Sequence, residues 1–293
     1  MERNRGPRSF RRRNLLKAVA GTGASIALAG CADDEGDNDP DPGLPTSDSV
    51  CNGSRTNSAE LPFETDESYG GWGGHSYHGT ESGLTQRPVV FVHGNGRDAC
   101  DFDEHAESLF ERGYRGDALW SITFERETST HADMAEQLDP FVGSVREETG
   151  TERVDLVGHS LGVTGIRHWL EETDRYEWAH SVVGLAGANH GTWTCGPGCS
   201  AGPGTTRVCG FISHACADTP GEALYELNEP DETPGSVAYY TIRGTEDNFF
   251  QTRPSSPELD GAQNVALEGA DHDGVRTSEA TKELLFEWLS DES

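Results

Sequence analysis

The stretch VDLVGHSLGVTG, residues 154–165, places a serine between two glycines. An apolar run typical of a buried strand stops at Gly158, Ser160 follows, and a helical pattern begins directly afterwards. In a Gly-x-Ser-x-Gly pattern the serine occupies a sharp strand-to-helix turn, and its small neighbours let the strand and helix approach closely. With Gly158 and Gly162 as those neighbours, Ser160 becomes a candidate nucleophile, provided that the chain also supplies a base and an acid.

A nucleophilic serine needs a histidine base and a carboxylate that orients the histidine. His272 follows the last expected strand, in EGADHDG, where its side chain can reach over the edge of a sheet. The stretch YYTIRGTEDNFF offers two carboxylates just past a strand end, of which we choose Asp247, with Glu246 as the alternative. His159, beside the serine, points away from it in such a turn, so we assign it a structural role.

Ester hydrolysis also needs N–H donors for the oxygen that becomes negative in the transition state. The backbone N–H of Leu161, at the start of the helix after Ser160, is one candidate. The loop in VFVHGNGRDA, after the first expected core strand, supplies the other through Asn95. We interpret His93 as a residue that shapes this loop.

Strand and helix patterns alternate along the chain from residue 87 onwards. Strands are expected at 87–94, 118–124, 153–160, 179–188, 236–244 and 262–272, and helices at 102–114, 131–150, 161–173 and 278–290. The second helical pattern contains Pro140, which complicates it. The alternation predicts an α/β fold with a mostly parallel sheet, helices on both of its faces, and functional residues at the carboxyl ends of the strands.

The first thirty residues have the pattern of an export signal. Arg11, Arg12 and Arg13 precede a short Gly/Ala-rich apolar run, which is typical of a twin-arginine signal peptide over residues 1–30. LAGC ends the run and resembles a lipobox, with Cys31 as the lipid-modified residue, which predicts an extracellular protein anchored to the cell surface. The alternatives are a basic arm before a membrane helix, and ordinary cleavage that leaves Cys31 as a free thiol.

The next segment and the overall charge suggest a tethered, salt-adapted protein. Residues 31–62 are rich in Asp, Pro, Gly and Ser and almost lack large apolar side chains, so we expect an acidic disordered tether before one domain at 63–293. The formal net charge is −29, although residues 1–30 contain seven of the 22 basic residues. A domain this acidic repels itself unless salt screens it, and it disfavours a nucleic-acid partner. An acidic cation-binding protein is the weaker alternative, because no loop of the EF-hand kind occurs.

Six cysteines remain when Cys31 is set aside, and an even number in an exported protein predicts up to three disulfides of open connectivity. They are Cys51, Cys100, Cys195, Cys199, Cys209 and Cys216. A zinc site is less favoured, because their spacing lacks the paired Cys-x₂-Cys arrangement. Four of them lie in residues 189–235, a Gly/Pro-rich insertion that forms either a stapled cap beside the site or a surface loop.

Five blocks, VVFVHGNG, VDLVGHSLG, VVGLAGANHGT, TIRGTED and LDGAQNVALEGADHDG, together resemble consecutive blocks of secreted class 2 lipases of the α/β-hydrolase fold. HGNG is also similar to extracellular polyhydroxyalkanoate depolymerases. The resemblance covers about residues 87–290 and implies hydrolysis of carboxylic esters without a metal or organic cofactor. It implies the triad Ser160, Asp247 and His272, with Asn95 and Leu161 as oxyanion donors.

Three functions are therefore compatible with the sequence. The first is a lipase or esterase, although residues 189–235 are longer than in small relatives and lack the long amphipathic helix of a mobile lid. The second is a polyester depolymerase, in which Trp193 and Phe211 could grip an insoluble chain. The third is a surface lipoprotein that binds without catalysis. The expected partners are an ester substrate and, through Cys31, a membrane.

Overall fold

The computed structural model describes residues 59–65, 68–74, 84, 86–126, 128–196, 198–199 and 207–290. The signal sequence, the lipidation candidate Cys31, Cys51 and residues 31–58 of the expected tether lie outside these ranges. Those expectations stay predictions.

The described chain builds an eight-stranded sheet. Its strands are β1 (Ala59–Glu60), β2 (Tyr69–Gly73), β3 (Val89–Val92), β4 (Leu119–Phe124), β5 (Val154–His159), β6 (Ala179–Leu185), β7 (Ala238–Gly244) and β8 (Gln263–Leu267). Their order across the sheet is β1-β2-β4-β3-β5-β6-β7-β8. Only the pair β2–β4 is antiparallel among these strands, so the expected mostly parallel sheet is confirmed.

Helices follow most strands, as the alternating pattern predicts. Those described are α1 (Asp103–Glu111), α2 (His131–Thr149), α3 (Leu161–Thr173), α4 (Cys209–Ile212), α5 (His214–Ala217), α6 (Ala223–Asn228), α7 (His272–Thr277) and α8 (Glu279–Leu289). The helices α1, α2, α3 and α8 lie within the four ranges expected from the sequence.

The helix α2 continues through Pro140. Proline has no N–H to donate to the carbonyl four residues earlier, which belongs to Glu136. Both Glu136 and Pro140 are exposed, so water can satisfy that carbonyl. Both ends of the helix are capped: Thr130 and Asp133 form a capping box at its start, and Gly150, with a φ of 68°, ends it.

The core fills both faces of the central strands. Every residue of β3, β4 and β5 is buried, which explains why these strands are mostly apolar and show no regular alternation with polar residues. Trp72, Trp120 and Trp169 are the largest fully buried side chains. Strands buried on both faces leave only their ends and the connecting loops available for chemistry.

Two strands were not expected. The strand β1 pairs with β2, so residues 59–60, which we assigned to the tether, already belong to the sheet. The strand β2 has the sequence YGGWG, whose glycines give no alternating pattern, and its pairing with β4 defines it instead. The Trp72 indole N–H donates to the carbonyl of Ala99 at 3.1 Å and fixes β2 on the core.

Residues 189–235 connect β6 to β7 and include the short helices α4, α5 and α6. A disulfide joins Cys195 to Cys209 within this insertion, and Phe211 stacks on His131 of α2 with ring centroids 3.5 Å apart. The disulfide closes a loop within the insertion, and the ring contact holds the insertion against α2.

The other cysteines differ in state. Cys100 is also disulfide-bonded, whereas Cys199 and Cys216 are free, so two of the six predicted candidates are unpaired.

Candidate active site

Ser160 lies between β5 and α3, where the sequence predicts a strained turn. Its φ is 54° and its ψ is −119°, a backbone conformation that residues other than glycine rarely adopt. The backbone N–H of Ser160 donates to the carbonyl of Leu185 at 2.8 Å, which ties the turn to β6. The serine side chain is thereby presented at the carboxyl edge of the sheet.

Both glycines of the pattern are required by close backbone contacts. A Cβ added to Gly158 would lie 2.9 Å from the backbone nitrogen of Val163, so a larger residue would push the strand and helix apart. A Cβ on Gly162 would overlap the carbonyl oxygen of Val92 and lie 2.6 Å from that of His93. Gly162 therefore makes room for the end of the neighbouring strand β3. From the sequence we expected Gly162 to relieve a contact within the turn itself.

The structure brings Ser160, His272 and Asp247 together in one hydrogen-bonded chain. The Ser160 hydroxyl lies 2.9 Å from His272 Nε2, and Asp247 Oδ2 lies 2.7 Å from His272 Nδ1. Because an ionised carboxylate can only accept, Nδ1 carries the ring proton and Nε2 is free to accept from the serine. The chain can thus transfer the serine proton to the imidazole.

The three residues come from the carboxyl ends of β5, β7 and β8, and β6 lies between the first two of these strands. Asp247 follows β7, and His272 begins α7 after β8. The backbone N–H of Glu246 donates to the carbonyl of Ala270 at 3.0 Å and holds the two loops together. The exposed Glu246, the alternative acid, is the residue before Asp247 and takes no part in the hydrogen bonds to His272.

His159 has the structural role that we assigned to it, although its partner was not foreseen. Burial lowers the pKa of His159 well below its usual range, and the neighbouring His272 lowers it further. The ring is therefore neutral near pH 7, and its Nε2 lies 3.2 Å from the backbone carbonyl oxygen of His272. Since a carbonyl can only accept, His159 donates to it and holds the loop that carries His272.

His93 shapes the loop after β3. The Phe124 backbone N–H donates to His93 Nε2 at 3.1 Å, so the proton of the neutral ring must lie on Nδ1. From there it is donated to the carbonyl of Gly94 at 2.8 Å. Burial lowers the pKa of His93 to about 4, so this bonding pattern is kept at neutral pH.

The same loop passes directly over the serine. A Cβ built on Gly94 would lie 3.1 Å from the Cβ of Ser160, so a bulkier residue would displace the loop. Asn95 follows and is exposed, and its backbone N–H makes no hydrogen bond within the described ranges. Leu161 is the first residue of α3, so its N–H has no acceptor inside the helix. Neither N–H group has a hydrogen-bond acceptor within the described ranges, and the oxyanion role expected for Asn95 and Leu161 stays a prediction.

An ion-pair cluster that sequence reasoning missed links this loop to α7. Arg97 donates to Asp273 at 2.7 Å and to Asp101 at 3.4 Å, and Arg276 donates to the carbonyl of Asp101. Burial raises the pKa of the Asp101 carboxyl, and Arg276 and Arg97 oppose that change. The contacts of Arg97 with Asp273 and of Arg276 with Asp101 span 176 and 175 positions, and no local pattern connects the two segments.

Neither a metal cluster nor a membrane span occurs in the part of the chain that the structure describes. No group of three or more His, Cys, Asp or Glu side chains there has the arrangement of a metal site. No described helix is long and apolar enough to cross a bilayer.

The parallel sheet, the strained serine turn and the strand-end histidine define an α/β-hydrolase fold. Solved structures agree at the level of the fold. The mature lipase BlEst2 of Bacillus licheniformis aligns over 72% of this chain and 96% of its own, with a TM-score of 0.55 and 16% identity. Aspergillus fumigatus lipase B aligns over 70% of this chain and 53% of its own, with a TM-score of 0.55 and 15% identity. Phospholipase PlaB of Legionella pneumophila covers 71% and 59%, with a TM-score of 0.56 and 16% identity.

A family model described as lipase (class 2) matches residues 86–173, from just before β3 to the end of α3. That range contains Ser160, Asn95 and Leu161. The resemblance to class 2 lipases predicted from the sequence blocks is thus confirmed, and the α/β-hydrolase fold with it. The match supports a carboxylic ester hydrolase.

Proposed function

We propose that this protein is an exported, membrane-anchored serine hydrolase that cleaves carboxylic esters through an acyl-enzyme on Ser160. The observation that carries the proposal is the hydrogen-bonded chain from Ser160 through His272 to Asp247. The lipase match across the serine turn supports the same chemistry. Such hydrolysis uses no metal or organic cofactor.

Acylation begins when the Ser160 hydroxyl attacks the ester carbonyl and His272 Nε2 accepts its proton. Asp247 keeps the proton of His272 on Nδ1 and stabilises the imidazolium cation that forms. The N–H groups of Leu161 and Asn95 bind the carbonyl oxygen as it becomes negative. In such sites one oxyanion donor contributes about 10²–10³ in rate.

The tetrahedral intermediate then collapses. The imidazolium of His272 gives its proton to the leaving alcohol oxygen, and the acyl group stays on Ser160 as an ester. Water takes the place of the alcohol, and its oxygen attacks the acyl carbon while His272 removes one of its protons. The second tetrahedral intermediate breaks the bond between that carbon and the Ser160 oxygen and releases the carboxylic acid. Ser160 regains its proton from His272, and the enzyme is restored.

Polyester hydrolysis is a second candidate, favoured by the exposed ring of Trp193 near the site. The other aromatic side chain proposed to grip a polymer, Phe211, instead packs between His131 and His168. Phe211 therefore holds the insertion against α2 and α3. Of the two aromatic side chains, only Trp193 is available to a substrate.

Export and anchoring form part of the proposal through the sequence of residues 1–31. A twin-arginine signal ending at Cys31 would place the domain outside the cell on a lipid anchor. The test compares the wild-type protein with Cys31→Ser in the membrane fraction and the culture medium. We expect the wild type in the membrane fraction and the variant in the medium, and equal partition of both would contradict the anchor.

The activity is tested with p-nitrophenyl esters of about C2 to C16 in about 2–4 M salt, where an acidic surface is well screened. Wild type, Ser160→Ala and the control Ser290→Ala, an exposed serine at the end of α8, are compared. We expect hydrolysis by wild type and the control and none by Ser160→Ala. Equal rates for all three would contradict the proposal, and the preferred chain length would separate an esterase from a lipase.

A further inference from the structure

Large apolar side chains are rarely exposed in the described part of this acidic chain. Phe110, Trp193 and Phe249 are the three, with 40%, 41% and 44% of their surface accessible. Phe110 lies on the outer side of α1, whereas Phe249 lies next to the candidate active site: its ring centroid is 4.3 Å from that of His272. Trp193 lies beside the same segment, because its indole N–H donates to the carbonyl of Asn248, the residue before Phe249, at 2.9 Å.

Hydrogen bonds hold the backbone of the two segments that carry these rings. The Thr192 hydroxyl donates to the carbonyl of Phe249 at 2.6 Å, and the Phe249 N–H donates to Asp247 Oδ1 at 2.9 Å. The disulfide between Cys195 and Cys209 constrains the chain two residues after Trp193. A ligand that binds these rings therefore loses little free energy in ordering them.

The direction of proton transfer decides which part of an ester these rings face. His272 Nε2 must deliver its proton to the leaving oxygen, so the alcohol group has to lie beside the imidazole of His272. The carbonyl oxygen lies instead towards the N–H groups of Leu161 and Asn95. The ring of Phe249 packs against the imidazole of His272 and is itself partly open to solvent, so an alcohol group that lies beside His272 can contact it.

We propose that Phe249 and Trp193 form the subsite for the alcohol group of the ester, and that this subsite takes uncharged, bulky apolar alcohols. The inference rests on the proposed ester hydrolase function. Aromatic faces bind flat apolar groups well, because they bury a large area with few rotatable bonds. The formal net charge of −29 disfavours an alcohol that carries its own carboxylate or phosphate.

The test uses acetate esters whose alcohols differ in apolar size but not in reactivity: ethyl, 2-phenylethyl and 2-(1-naphthyl)ethyl acetate. Each is measured with wild type, Phe249→Ala, Trp193→Ala and the control Phe110→Ala. We expect Phe249→Ala to lower kcat/KM for the naphthylethyl ester at least about tenfold and for ethyl acetate less than about twofold. Trp193→Ala should also lower kcat/KM most for the naphthylethyl ester and least for ethyl acetate. Phe110→Ala should leave kcat/KM for all three esters unchanged.

A second substrate series keeps methanol as the alcohol and lengthens the acyl chain, and the ratio of variant to wild type should stay constant along it. The alcohol has left before the acetyl-enzyme is hydrolysed, so an alcohol subsite does not affect that step. The rate constant for hydrolysis of the acetyl-enzyme should therefore be the same in wild type and Phe249→Ala. Phe249→Tyr, which keeps the ring, should retain the wild-type preference and shows that position 249 tolerates change.

Three outcomes would overturn the alcohol subsite. One is an equal loss on ethyl and naphthylethyl acetate, which would mean that Phe249 only supports His272. Another is a loss that grows with acyl length, and the third is no change at all. Failure of the proposed function looks different, because folded wild-type protein would then hydrolyse none of the esters.

Discussion

The Nε2 nitrogen of His159 lies 3.2 Å from the backbone carbonyl oxygen of His272. The residue just before Ser160 thus holds the backbone of His272, the proposed acceptor of the Ser160 proton. His159 is the last residue of β5, and Ser160 follows it directly. The end of β5 therefore positions the candidate nucleophile Ser160 and, through His159, the candidate base His272. Misplacement by about 1 Å can cost about 10²-fold in rate at such sites.

Replacing His159 tests this contact. Leucine leaves the His272 carbonyl without its donor, which typically costs about 1–3 kcal/mol in a buried site, so we expect kcat/KM to fall about tenfold or more. Glutamine keeps an N–H at a similar reach and should stay within a few-fold of wild type. The measurement is kcat/KM across about pH 5 to 9, and equal losses in the two variants would mean that the hydrogen bond is unimportant.

Asp247→Asn should reduce kcat strongly while the fold is kept. An amide can donate to His272 Nδ1, which favours the tautomer with its proton on Nε2 and blocks acceptance from Ser160. Losses of about 10⁴ accompany this change in serine proteases, and we expect at least about 10²-fold here. Glu246→Gln is the matched control, and an equal loss there would assign the acid to Glu246.

Gly162→Ala should destabilise the domain. The added methyl would overlap the carbonyl oxygen of Val92 and press on that of His93, both of them backbone atoms at the end of β3. Overpacking of this kind costs about 1–3 kcal/mol of unfolding free energy, measured by urea unfolding at fixed salt. Gly198→Ala is the control, since nothing lies within 4 Å of its added Cβ. Similar midpoints for both variants would contradict the close approach.

Acid should destabilise the protein through buried neutral histidines. Burial lowers the pKa of His93 and His105 to about 4 and that of His131 and His159 well below the usual range. Between about pH 6.5 and 4 the unfolded chain therefore binds more protons than the folded one, and stability falls as pH falls.

His105 isolates one of these contributions because it lies on α1, outside the hydrogen-bonded chain of the site. Full protonation of one histidine on unfolding changes the unfolding free energy by about 1.4 kcal/mol per pH unit. We expect His105→Gln to reduce the acid slope by up to that amount between about pH 4.5 and 6, in urea unfolding at several pH values. An unchanged slope would contradict a depressed pKa at His105.

Salt should stabilise the folded state. A formal net charge of −29 makes the compact chain repel itself, and at about 1 M salt the Debye length shortens to about 3 Å. We therefore expect Tm to rise as NaCl is added from about 0.1 to 3 M and then to level off. A Tm that is constant or falls over this range would exclude salt adaptation.

The central sheet could be read from the sequence because its strands are buried on both faces. Runs such as VVFV in β3 and VDLVGH in β5 stand out from the helical patterns around them. The serine turn could be predicted because Gly-x-Ser-x-Gly is a local pattern, and Gly158 is required by a contact within the turn itself. The contact of Gly162 with the end of β3 is not local, and the sequence did not show it. The candidate acid and base followed from their place after the last two strands.

Other features depend on contacts between distant segments and leave no local signal. The strand β2 is defined by its pairing with β4, because YGGWG has no alternating pattern. The link from Arg97 to Asp273 spans 176 positions. Phe249 was not singled out, because nothing in TEDNFF distinguishes an aromatic ring at the site from one in the core. Its neighbour Phe250 is buried.

Covalent labelling of Ser160 tests the central claim most directly. Folded protein in high salt is treated with an alkyl fluorophosphonate, its intact mass is measured, and the modified peptide is sequenced by mass spectrometry. We predict one adduct, on Ser160, which is absent in Ser160→Ala and forms far more slowly in His272→Gln. The absence of an adduct on folded wild-type protein, or an adduct on another serine, would contradict Ser160 as the nucleophile.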